Sequence, residues 1–155
     1  MKLSAAVTLA PLLPAIFRAA LELGWARVIH LRITPTKILA RNVAAGNNAA
    51  QHNATPEAAA RIQPAHTSDI AGTIAFVIPR VAARVPWRAD CLIQAIAAQH
   101  WLAQKGLAGR IVVGVDREGE GQLLAHAWLK LDERIITGGS ISRYQSLLGD
   151  HLAPH

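Results

Sequence analysis

A chain of 155 residues is one domain of ordinary size, able to bury roughly 68–70% of its unfolded surface without metal or disulfide support, and its single cysteine excludes an intramolecular disulfide. Hydrophobic residues at 52% against 17% charged exclude a disordered chain. Sixteen Lys and Arg against ten Asp and Glu leave a charge of +6, but the basic residues stand singly, and no helix-turn-helix, zinc-finger or RNA-recognition signature is present, so no nucleic-acid partner is expected.

Lys2 and the apolar stretch from Leu3 to Ala20 have the outline of a secretory signal. Pro11 and Pro14 interrupt that stretch, and Arg18 and Glu22 close it short of the ~20 apolar residues of a membrane span. The expectation is a first amphipathic helix on the core and no stable membrane insertion. Leu12, Ile16, Ala19, Ala20 and Leu23 recur at helical spacing, and Gly24 supplies a stop. Trp25 to Ile33 fits helix and strand equally. After Pro35, residues 42–65 read as loop with one short helix starting at Thr55-Pro56-Glu57. Ser68-Asp69 can cap a helix carrying Ile70, Ile74, Val77 and Val81, with a kink at Pro79 and an end before Pro86. Asp90 can cap the next, through Leu92, Ile96, Trp101 and Leu102 to a stop at Gly106, which puts Cys91 in the first turn.

Beyond Gly109 the period changes from near 3.6 to 2. Ile111 to Val115 and Leu123 to Leu131 read as strands, Asp132-Glu133 as a turn and Arg134 to Thr137 as the return strand. In the second strand Leu123, Ala125, Ala127, Leu129 and Leu131 face one way, and Leu124, His126, Trp128 and Lys130 the other. A helical patch is expected around Tyr144 to Leu148. Helices followed by a strand meander make an α+β fold of a single domain over residues 1–155, with an N-terminal helical and loop extension over 1–66 and a core over 67–150.

A thiol in the first turn of a helix meets the partial positive charge of unpaired backbone N–H groups, which favours the thiolate nucleophile. A histidine on a strand packed beside that helix start can serve as base and then as acid. Cys91 and His126 are the candidates. Trp87, four residues before Cys91, and Trp128, on the face of His126, are candidates to line a substrate cleft, whereas Trp25 and Trp101 are read as core. The seven histidines are dispersed without Cys-x-x-Cys, His-x-x-x-His or His-Glu-x-x-His spacing, and Gly114 to Gly121 lacks a phosphate-binding context, so neither metal nor cofactor is expected.

The segments Val85-Pro86-Trp87-Arg88-Ala89-Asp90-Cys91-Leu92, Trp101 to Gly106, Arg110 to Val115 and Ala125-His126-Ala127-Trp128-Leu129 together resemble the transglutaminase-like cysteine peptidases that mature lasso peptides, over about residues 70 to 145. The resemblance implies a papain/transglutaminase-like core, in which a helix bearing the cysteine packs on a small antiparallel sheet bearing the histidine, with additional N-terminal helices. It implies a cytoplasmic leader peptidase with Cys91 as nucleophile and His126 as base. Its partners would be a ribosomally made precursor peptide, a separate leader-recognition protein and an asparagine-synthetase-like cyclase. The rival reading is a catalytically weak or inactive peptide-binding module of the same fold.

One position departs from the pattern. The family carries an Asp twelve positions after the histidine, which here is Gly138. Hairpin arithmetic sets His126 opposite Gly139 or Ser140. Asp132, six residues along, lies about 20 Å away at ~3.3 Å per residue. The ring's orienter is therefore expected to be a backbone carbonyl, the Thr137 or Ser140 hydroxyl, or a carboxylate from elsewhere such as Asp150.

Overall fold

The computed structural model describes residues 12–33, 37, 64–118 and 122–148. Readings for residues 1–11 and 38–63 lie outside them, as does Asp150. Among the described residues three helices, α1 (Leu13–Arg32), α2 (Pro64–Ala82) and α3 (Cys91–Ala103), precede four strands, β1 (Arg110–Glu118), β2 (Gln122–Leu131), β3 (Arg134–Thr137) and β4 (Gln145–Leu148). The helices pack together and against a wholly antiparallel sheet of order β3-β2-β1-β4, an α+β arrangement.

The first helix departs from expectation by continuing through Gly24 to Arg32. Its cohesion is tertiary. Ala19, Leu23 and Ala26 are buried in the helical core, and the buried Glu22 carboxylate accepts a 2.6 Å hydrogen bond from His100 of α3, with Arg18 at 3.5 Å. A buried carboxylate is tolerated only with such partners, and the His100 bond holds α1 to α3. Trp25 stacks on the His100 ring at 3.9 Å but is 41% exposed, so it is a surface residue with one covered face, while Trp101 is core as expected.

Helix α2 begins at Pro64, so Ser68 and Asp69 lie inside it rather than capping it. Pro79 lies inside the helix three residues before its end, where it removes one i→i−4 bond without ending the helix, and Ala71, Ile74, Val77, Ile78 and Val81 form its buried face. In α3 the Asp90 side chain accepts from the Ile93 N–H at 3.2 Å, the expected N-cap. Its other end closes as a Schellman turn: Leu107 N–H donates to Leu102 O, Gly106 N–H to Ala103 O, and Gly106 takes φ +74°. Burial of side chains such as Ile74, Ile78, Ile93 and Leu102 is worth roughly 1.5–3 kcal/mol each.

The hairpin from β2 to β3 turns at Asp132 and Glu133, with Asp132 at φ +51°. On β2, Leu129 and Leu131 join the helical core with Ile111 and Ile136. Val112 and Trp128, partners across β1 and β2, are buried apart from that cluster. The second face of the sheet is thus covered at its centre. Residues 145–148 pair with β1 as an edge strand instead of forming the expected helical patch. Four residues are too few for a helix to stand alone, and the open edge of β1 offers them a ladder.

Candidate active site

Cys91 is the first residue of α3, half-buried, with a free thiol. Helix geometry leaves its N–H and that of Leu92 without intrahelical partners, since only the Ile93 N–H is taken by the Asp90 cap. A backbone oxyanion site needs that kind of donor.

His126 lies on β2 opposite Gly114 of β1, and its ring is fixed on two sides. Its Nε2–H donates to the Gly138 carbonyl oxygen at 2.7 Å. A carbonyl can only accept, so the hydrogen resides on Nε2 and Nδ1 keeps its lone pair in the neutral ring, the form a general base requires. Tyr144 stacks on the imidazole, with centroids 4.7 Å apart and planes 25° from parallel. The Tyr144 turn is itself tied down, because Arg143 Nε donates to Asp116 of β1 at 2.5 Å.

Of the orienters considered from sequence, the backbone carbonyl is the one used. Thr137 is 2% exposed with its hydroxyl unpaired, and the Ser140 hydroxyl bonds to that of Ser142 at 3.4 Å. Gly138 reaches His126 because it lacks a side chain. At φ +109°, a Cβ there would lie 2.3 Å from Trp128 Cβ and 3.3 Å from His126 Nε2.

Trp128 has a different place from the substrate wall expected of it. At 1% exposure it has no surface to offer a peptide, and its ring lies across Gly114, where a Cβ would come within 2.7 Å of both the indole and the Gln145 carbonyl. It supports His126 and Tyr144 from beneath, at centroid distances of 6.1 and 6.5 Å. The half-buried Trp87 packs against the helical core, its indole 3.8 Å from where a Cβ on Gly24 would stand. Tyr144 was missed from sequence because its turn was read as helix, although a lone Tyr beside a Gly-Gly strand end was the available signal. Among the described residues no group of three or more His, Cys, Asp and Glu is arranged to hold a metal.

A family profile described as the transglutaminase-like superfamily matches residues 19–149. The chain belongs to the transglutaminase-like superfamily. No curated protein and no solved structure matches it. The superfamily includes cysteine peptidases. The match to this transglutaminase-like domain begins within α1, so the first helix is part of the matched unit along with the Cys91 and His126 elements. No helix among the described residues is long and apolar enough to cross a membrane.

Proposed function

We propose that this transglutaminase-like protein is a cysteine peptidase that removes the leader from a ribosomally made lasso peptide precursor, with Cys91 as nucleophile and His126 as general base and acid. The observation that carries the reading is the 2.7 Å bond from His126 Nε2 to the Gly138 carbonyl, which leaves Nδ1 as the basic nitrogen. Matching rises support the pairing. Gly109 packs on both Leu102 of α3 and Leu129 of β2. From there, eleven residues of helix back to Cys91 and five residues of strand to Gly114, the partner of His126, each cover about 16 Å.

In the reaction, His126 Nδ1 takes the Cys91 proton and the sulfur attacks the scissile carbonyl carbon, forming the C–S bond while the oxyanion meets the backbone N–H groups that open α3. The C–N bond then breaks as the imidazolium gives its proton to the leaving amine. Water, deprotonated by His126, hydrolyses the thioester, releasing the new carboxylate and restoring the thiol. A neutral carbonyl stabilises the imidazolium less than a carboxylate does, which makes the turnover slow and gives a separate leader-recognition protein the task of concentrating the precursor. The freed core peptide would pass to an asparagine-synthetase-like cyclase. The same missing carboxylate favours the second reading, a catalytically weak peptide-binding module.

The test is leader removal followed by mass spectrometry, with full-length protein, precursor and recognition protein. Cys91→Ala and His126→Ala are each expected to lower the rate by about 10³-fold or more. A Cys91→Ala protein that cleaves at the wild-type rate overturns the assignment, and wild-type protein that binds precursor without cleaving it leaves the module reading. Proximity is checked separately with 1,3-dibromoacetone, which should bridge the Cys91 sulfur and the His126 ring in a peptide map. Alkylation of Cys91 without a bridge would break the pairing.

A further inference from the structure

The solvent face of α1 is apolar along its length. Leu13, Phe17, Leu21, Trp25, Val28 and Leu31 are between 41 and 69% exposed. Apart from Pro14 and Arg32 they are all of the exposed residues of the helix. The opposite face, with Ala19, Leu23 and Ala26, is already buried in the core. A helix apolar on both faces belongs between two layers, and a contiguous exposed apolar stripe of this size marks an interface. The other large exposed apolar residues among those described, Phe76, Leu123, Ile135 and Leu147, are scattered over α2, β2, β3 and β4.

Two properties of the stripe specify its occupant. Its six positions follow in steps of four, four, four, three and three, which at about 100° per residue keeps them all within an arc of about 120°, so the stripe stays on one side of the helix over its length. It is also nearly symmetric about its own midpoint. Leu13 and Leu31, Phe17 and Val28, and Leu21 and Trp25 each centre within half a residue of position 22.5. A two-fold interface must be complementary to itself, and two copies of this stripe laid antiparallel set Leu13 on Leu31, Phe17 on Val28 and Leu21 on Trp25 with register errors of about 1.5 Å or less. The exposed apolar area of the six side chains is on the order of 700 Å², close to the ~800 Å² per partner of a standard interface. Its basic neighbour Arg18 is turned inward to Glu22 and Gln104, so it does not crowd the stripe with charge.

We infer that the protein forms a two-fold dimer through antiparallel contact of α1 with α1 of a second copy. A single helix–helix contact covers only part of that exposed area, so the dimer exchanges with monomer.

The experiment is sedimentation equilibrium of the full chain between about 1 and 100 µM, with circular dichroism to verify that each variant is folded. Wild-type protein should pass from monomer to dimer with a dissociation constant on the order of 10 µM, and Leu21→Glu should raise it at least about tenfold while retaining the helical spectrum. Register is read from two further variants, Phe17→Glu and Val28→Lys, each more weakly self-associating than wild type but pairing one to one when mixed, because the new charges then face each other. Wild-type protein that stays monomeric throughout overturns the inference, as does a dimer that Leu21→Glu leaves intact or a mixture that fails to pair. If the monomer instead floats with vesicles containing phosphatidylglycerol and Leu21→Glu abolishes flotation, the stripe is a lipid-binding face and the dimer is wrong. Slow thiol labelling of a monomeric Leu21→Cys protein would mean that the chain itself covers the stripe, which equally refutes the dimer.

Discussion

Inside α1, Gly24 has nothing nearer to a prospective Cβ than the Trp87 ring at 3.8 Å, an ordinary contact, and Gly72 of α2 is equally open, with Arg134 at 3.7 Å. Around His126 the glycines are of another kind. At Gly114 the Trp128 ring and the Gln145 carbonyl occupy the place of a side chain, and at Gly138 the Trp128 Cβ does so with the backbone at positive φ. The helical half is a set of apolar faces pressed together, where a methyl group more or less is a matter of propensity. The sheet half is built around one imidazole, and its backbone must approach that ring and the indole beneath it directly. Backbone freedom is spent where the chemistry is proposed and is merely tolerated in the helices.

The sharpest way to break this contrast is at Gly138. Gly138→Ala places a methyl inside the contact distance of Trp128 in a conformation L-residues avoid, and should cost about 3 kcal/mol in denaturant unfolding. It should also abolish leader cleavage, since relief of the clash moves the carbonyl away from His126. A fully active, equally stable Gly138→Ala protein would show that the carbonyl does not position the ring.

A smaller effect is expected at Tyr144, the positioning residue stacked on the imidazole. Tyr144→Ala should lower kcat about tenfold with KM little changed, and Tyr144→Phe should restore it, because the face of the ring and not its hydroxyl makes the contact. Failure of the Phe variant to rescue would assign the role to the hydroxyl. The smallest change lies in the other half of the molecule. Gly24→Ala should stabilise the protein by about 0.5–1 kcal/mol through helix propensity, read as a rise in the thermal midpoint, with cleavage unaffected. A destabilised Gly24→Ala would mean that Trp87 sits closer to α1 than its 3.8 Å approach implies.

Local chemistry made part of this molecule legible in advance. The Asp90 cap, the Gly106 stop and the β2 to β3 hairpin each rest on residues within a few positions of one another, so capping bonds, a positive φ and period-2 alternation identify them without the rest of the fold. The positions of Cys91 at a helix start and His126 on a strand were legible for the same reason. What was not legible depended on distant partners. Helix α1 continues past Gly24 because Glu22, Leu23 and Ala26 are anchored among residues far along the chain, and β4 exists because β1 leaves an edge open. Trp128 looks like a cleft residue until Gly114 and Tyr144 are brought over and beside it.

The chain's own residues therefore settled which elements bear Cys91 and His126, since capping and side-chain alternation act over a few residues. How the imidazole is held was decided only when the chain closed on itself. A residue with no side chain supplies the orienting oxygen, and a backbone carbonyl leaves no mark in an amino-acid pattern until folding brings it to 2.7 Å from the ring.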